Sequence, residues 1–311
     1  LTALFPATLK KLLLRLNDFK CVEKLWELPS LEVLDISSCR VKTLIQDSSN
    51  SGLSHPPPHL YLGSNDLNWK TLKPLFQSLM TKIKPPLIPM QTLFMDTHGA
   101  SDKMGPQGWE LFAASVRVSR LRNLSLTKTN LTDKYLGTIV EALGEIPGLR
   151  KLLLRHNRLG PDSGRLLGWH LMQEGSPLEE LYLKGNMLGD EGFAALLGQA
   201  SEKQMQVVEL SLNDIGDGAF RLYSDEAAEE EFYCEWKRLY LDGNRFTGRF
   251  DVSPRRLSKM IEEGNLPDDS IYAVTIEELA KAVGKLDLQN NLLTDDVRER
   301  VRNLPGKYHA V

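Results

Sequence analysis

The chain has 311 residues, 41% of them hydrophobic and 25% charged, with a formal net charge of −3 at pH 7, the proportions of a folded, water-exposed protein. So small an imbalance gives no bulk attraction to nucleic acid or to a membrane, and any charged recognition surface must be local. Cys21, Cys39 and Cys234 are scattered without CxxC spacing, which gives no sign of a zinc cage or a disulfide framework and points to reduced thiols in a cytoplasmic protein.

The opening LTALFPATLKKLLL is interrupted by Pro6, Lys10 and Lys11, unlike a secretory signal, and no run reaches membrane-spanning length. From this point one pattern recurs, with leucine-type residues at the first, fourth and sixth places and asparagine at the ninth. Its copies are Leu9, Leu12, Leu14, Asn17; then Leu31, Leu34, Ile36, Cys39; then a degenerate Pro57, Leu60, Leu62, Asn65; then an irregular Met90, Leu93, Met95, His98. Leu121, Leu124, Leu126, Thr129 begin a cleaner series, followed by Leu149, Leu152, Leu154, Asn157 and Leu178, Leu181, Leu183, Asn186. Val207, Leu210 and Leu212 read as an eighth copy with a loop two residues short. Trp236, Leu239, Leu241, Asn244 and Val283, Leu286, Leu288, Asn291 complete ten. The first residues Leu121, Leu149, Leu178, Val207 and Trp236 are then 28, 29, 29 and 29 apart.

Within LEELYLKGNMLGDEGFAALL the hydrophobic period changes from two to helical. Leu181 and Leu183 alternate with polar neighbours, as in a half-buried strand, so Glu180, Tyr182 and Lys184 fall on its other face. Asn186 ends the strand, where an amide can satisfy backbone groups that a buried turn leaves unpaired. Gly189 permits the turn, and Asp190 is placed to cap a helix that carries Phe193, Leu196, Leu197 and Ala200 on one face. Asp162 with Leu166 and Leu167, and Asp133 with Leu136, Ile139, Val140 and Leu143, repeat the arrangement.

Ten registered copies resemble the leucine-rich repeat family, of the ribonuclease-inhibitor-like subtype. The resemblance implies an α/β solenoid, or horseshoe, with a concave parallel sheet and convex helices, formed by residues 1–311 as a single domain of about ten repeats. Residues 247–282 are expected to be a helical insertion within the ninth repeat, serving either partner contact or simple packing. The stripe Val297, Val301, Leu304 marks 294–311 as a C-terminal cap over the last core layer. The first copy has no such cap and the chain lacks an initiating methionine, so it is expected to be a piece of a longer protein. TLIQDSSNSGLSHPPPHL and KIKPPLIPM read as irregular connections.

The chain has no GxxxxGK[ST] loop and no GxSxG elbow, and its six histidines have neither HExxH nor zinc-like spacing. It reads as a noncatalytic chain without cofactor or metal. The sequons at Asn123 and Asn130 read as chance matches, the first lying on a strand. The run SDEAAEEE reads as a solvated surface, with a site for a basic partner as the alternative.

What remains is the concave face. Tyr61, Phe94, Tyr182 and Tyr240 are amphipathic rings held on strands, a residue type favoured at binding hot spots. Leu153 sits among Arg150, Lys151, Arg155 and His156, and Lys184 follows in the next copy. These residues define a protein-binding surface, with no role for nucleic acid or membrane, in a module of a cytosolic scaffold or sensor. LYLKGNMLGDEGFAALL is similar to the sensor repeats of Nod-like receptors. RHNRLGPDSGRLL is similar to the activator of the Ran GTPase, which makes GTPase activation the alternative function.

Overall fold

A computed structural model describes residues 5–19, 22, 25, 28–44, 56–80, 89–96, 104–199, 203–220, 222, 236–248, 279 and 283–303. The chain packs as two compact units, Leu1–Leu154 and Arg155–Val311. The first holds strands β1 (Lys11–Leu13), β2 (Val33–Asp35), β3 (His59–Tyr61), β4 (Thr92–Phe94), β5 (Asn123–Ser125) and β6 (Lys151–Leu153), with helices α1 (Trp69–Met80), α2 (Gly105–Val116) and α3 (Asp133–Gly144). The second holds β7 (Glu180–Tyr182), β8 (Val207–Glu209), β9 (Leu239–Tyr240) and β10 (Leu286–Asp287), with α4 (Pro161–Leu171), α5 (Gly189–Gln199) and α6 (Asp295–Arg302).

Strand order follows chain order within each unit, and every pairing is parallel. The register puts the fourth-position residues side by side: Leu12, Leu34, Leu60, Leu93, Leu124 and Leu152 in the first unit, and Leu181, Val208, Leu239 and Leu286 in the second. All ten are buried, and each aliphatic side chain removed from water contributes about 1.5–3 kcal/mol. Parallel strands need a long crossover, and α1, α2, α3 and α5 provide it between β3 and β4, β4 and β5, β5 and β6, and β7 and β8.

This register corrects the reading of the eighth copy. Val208, not Leu210, lies between Leu181 and Leu239, so the copy runs Met205, Val208, Leu210, Asn213, with its loop intact. The spacings around it are therefore 27 and 31 residues, from Leu178 to Met205 and from Met205 to Trp236. The alternation Val208, Leu210, Leu212 allows both alignments by hydrophobicity; the amide at Asn213 decides between them.

The asparagines tie neighbouring copies together. The Asn65 amide donates to the carbonyls of Leu62 in its own copy (2.7 Å) and Ile36 in the one before (2.8 Å), while its oxygen accepts from the backbone of Cys39 and Val41, both at 3.0 Å. Asn244 does the same with Leu241 (2.8 Å), Leu210 (3.0 Å), Asn213 (2.8 Å) and Ile215 (3.2 Å). Each such side chain satisfies four backbone groups inside a buried turn. Cys39 occupies the slot with one donor: burial pushes its thiol up from the ordinary value, which keeps the proton that it gives to the Leu14 carbonyl at 2.8 Å.

The residue before each ladder position takes a left-handed backbone: Leu16, Ser38, Ser64 and Lys128 in the first unit, and His156, Gly185, Leu212, Gly243 and Asn290 in the second. Glycine leaves room for a neighbouring side chain at two of these. A Cβ on Gly185 would fall 2.5 Å from the His156 ring, and one on Gly243 would overlap the Leu212 side chain.

The helices start differently from the expectation. Thr132 and Gly160 are the N-cap residues of α3 and α4, with Asp133 and Asp162 inside the first turn. Asp190 also lies inside its helix, where its carboxylate accepts the Gly216 N–H of the following copy at 2.5 Å. The side-chain cap sits instead on α1, where Asn68 accepts from the backbone of Lys70 and Thr71 and the Thr71 hydroxyl accepts from Asn68. In α6, Val297 and Val301 are buried, as a cap requires. Residues 249–278 and 280–282 of the expected insertion, Leu304 of the expected stripe and the whole SDEAAEEE run lie outside the described residues.

Candidate partner-binding face

Strand geometry sends alternate side chains away from the helices, and the parallel register gathers them into columns about 5 Å apart from rung to rung. In the first unit the middle column is Leu13, Asp35, Tyr61, Phe94, Ser125 and Leu153. Tyr61 and Phe94 meet edge to face with ring centroids 5.0 Å apart, a geometry that fixes both rings. Asp35 is buried and holds Arg15 of the preceding rung in an ion pair. Asp96 accepts the Ser125 hydroxyl and the Thr127 N–H. Beside them, His59 Nδ1 lies 2.9 Å from the Thr92 hydroxyl, which also accepts from Asn123 at 3.1 Å. Lys151 and Leu153 are half-buried on β6.

In the second unit the middle column is Tyr182, Glu209, Tyr240 and Asp287. The corrected register puts Glu209 in the place that falls to Ser211, between Leu210 and Leu212, when the copy is started at Val207. Arg155 lies over the Tyr182 ring, 4.5 Å from its centroid, and its Nε donates to Glu209 at 2.5 Å, two rungs away. The Tyr182 hydroxyl donates to Glu180 at 2.7 Å. One column across, Lys184 repeats the two-rung reach, with its Nζ 3.8 Å from Asp242, whose other oxygen accepts from Ser211. Lys285 stands 5.6 Å from the centroid of the Tyr240 ring. His156 is exposed at the end of its copy.

The second unit therefore brings together Arg155, Tyr182 and Lys184, which were chosen from sequence, and adds the unforeseen Glu180, Glu209 and Asp242. Lys151 and Leu153 belong to the first unit, with Tyr61 and Phe94. Among the described residues no group of three His, Cys, Asp or Glu side chains is placed to hold a metal ion, and no helix is long and apolar enough to cross a membrane.

Parallel register, helix-bearing crossovers and buried strand-end asparagines, Asn65 in the first unit and five in succession in the second, define the architecture. Each unit is a leucine-rich repeat solenoid. No protein-family model matches the chain. Among solved structures it is similar to an internalin from Listeria monocytogenes, at 16% identity over 97% of this chain and 86% of that one with a TM-score of 0.44. It is also similar to a leucine-rich repeat protein from Leptospira interrogans, at 17% identity over 94% and 76% with a TM-score of 0.36. A third likeness is to a chain of the complex of latrophilin 3, Unc5D and the leucine-rich repeat part of FLRT2, at 12% identity over 99% and 84% with a TM-score of 0.41.

Proposed function

We propose that this chain is a noncatalytic protein-interaction module of the ribonuclease-inhibitor-like subtype, binding a protein partner on the sheet face turned away from the helices. In this reading all ten repeats form one domain, with the cap at 294–311, in a larger cytosolic scaffold or sensor that uses neither nucleic acid nor a cofactor. The observation that carries it is the ordering of large side chains on that face. Tyr61 with Phe94 in one unit, and Tyr182 beneath Arg155 in the other, are held by partners on rigid strands. Side chains fixed before binding lose little conformational entropy on association, which is the property of hot-spot residues. Lys151 and Leu153 complete the surface in the first unit, and His156, Lys184 and Tyr240 in the second.

The test is photo-crosslinking in the cell of origin. With p-benzoylphenylalanine placed at Tyr61 or at Tyr182, adducts to a partner protein are expected. The same group at Trp169, which is 64% exposed on α4, should give none. Adducts from Trp169 alone would assign binding to the helical side and end this reading. Stimulation of GTP hydrolysis by a small GTPase would instead favour the activator function.

A further inference from the structure

Arg155 is anchored at one atom. A guanidinium has five N–H donors, and among the described residues only its Nε is engaged, by Glu209. Its plane lies over Tyr182, and its side chain retains 33% exposure. The Nη donors thus form a fixed, part-exposed fork whose complement is a planar oxyanion, bound end-on through two parallel hydrogen bonds. A second cation stands beside it. The His156 N–H donates to the Lys184 carbonyl at 2.7 Å, which puts Arg155 and Lys184 on neighbouring rungs of one column. Among the described residues Lys184 is tied only by its 3.8 Å approach to Asp242, and it is also about one-third exposed, at 32%. The acids that offset these cations, Glu209 and Asp242, lie two rungs farther along. Along this column the charge is therefore polarised, from Arg155 and Lys184 at one end to Asp242 at the other, while Glu180 on the Lys184 rung is engaged by the Tyr182 hydroxyl.

We propose that Arg155 and Lys184 together receive the side-chain carboxylates of an acidic segment in the protein partner, Arg155 through its Nη fork and Lys184 as a point charge. This rests on the sheet face being the binding face and names the chemistry of what binds there. Glu209 acts as a positioning residue, holding the guanidinium over Tyr182 with the fork turned to the partner.

The experiment is fluorescence anisotropy at low ionic strength with three labelled probes: a serine–glutamate peptide, its serine–glutamine counterpart and a single-stranded RNA of equal negative charge. The glutamate peptide should bind saturably, the glutamine peptide should not, and the RNA should bind more weakly than the glutamate peptide. Arg155→Lys keeps the charge and loses the fork, and is expected to weaken the glutamate peptide about tenfold, equivalent to about 1.4 kcal/mol. Lys184→Gln is expected to weaken it about threefold. Thermal melts of both variants establish that the fold is kept. Equal affinity of Arg155→Lys and the parent protein, absence of saturable binding, or tighter binding of the RNA overturns the proposal. Adducts at Tyr182 alongside such a result would leave the sheet-face reading standing and remove only the acidic partner.

Discussion

The two units build the same turn with different completeness. In Arg155–Val311 the strand-end position is Asn157, Asn186, Asn213, Asn244 and Asn291 in succession, all buried. In Leu1–Leu154 it is, among the described residues, Asn17, Cys39, Asn65 and Thr129, and Asn17 is exposed. The difference separates two jobs that asparagine does at once. Thr129 keeps the bond within its own copy, from its hydroxyl to the Leu126 carbonyl at 2.8 Å, but has no second donor to span two carbonyls as Asn244 does. A single donor either closes its own turn, as Thr129 does, or reaches the preceding copy, as the Cys39 thiol does at the Leu14 carbonyl; doing both at once takes an amide.

The sharpest way to break this comparison is to delete both side chains. Asn244→Ala strands buried backbone groups of two copies and is expected to cost about 4 kcal/mol, since each unsatisfied group costs roughly 1–3 kcal/mol. Thr129→Ala removes one hydrogen bond and is expected to cost about 1 kcal/mol. Urea unfolding of the two variants measures the difference, and equal costs would show that the ladder does not couple copies.

The helical layers differ too. In the first unit the helices meet through rings: Phe76 of α1 is edge to face with Phe112 of α2 at 5.5 Å, and Trp109 of α2 lies 6.3 Å from Tyr135 of α3. In the second, α4 and α5 meet at Gly164 and Gly192, where a Cβ on Gly164 would come within 2.6 Å of the Gly192 backbone. Gly164→Ala is thus expected to lose about 2 kcal/mol by overpacking, although alanine is the better helix former. An unchanged melting temperature would mean that the seam can open at no cost.

The smallest effect is expected at the left-handed column. Leu212 holds φ 55° with its side chain 47% exposed, and a bulky residue there carries strain of about 1 kcal/mol. Leu212→Gly should therefore raise stability by a few tenths of a kcal/mol, the relief exceeding the modest loss of half-exposed apolar contact. A drop on chemical denaturation would show that packing of Leu212 over Gly243 outweighs its backbone.

Strands, their order and the inward leucines were legible because alternation and a nine-residue signature recur and each copy checks the next. Legibility failed where two readings satisfied the same hydrophobic rule. Val208, Leu210 and Leu212 alternate, so either the first two or the last two can fill the fourth and sixth places; the eighth copy slipped by two residues, and the slip put Ser211 where Glu209 belongs. That error hid the counter-ion of Arg155. A pairing between residues 54 apart in sequence follows from strand register alone, not from any local pattern. Helix starts were misassigned for a related reason. Asp190 satisfies a local capping rule, but its carboxylate is drawn to Gly216 in the adjacent copy. Cys39 needed no correction, because a protonated thiol supplies the single donor that its turn demands.

The reach of Arg155 past Tyr182 to Glu209 has a bearing on how such a chain changes length over generations. An asparagine grips only the adjacent module, so recombination that removes one module lets the ends re-form the same grip. The module bearing Tyr182 is bridged from both sides, and its excision would leave the Arg155 guanidinium without the ring beneath it. Gain and loss of modules should therefore be tolerated elsewhere in the second unit before they are tolerated there.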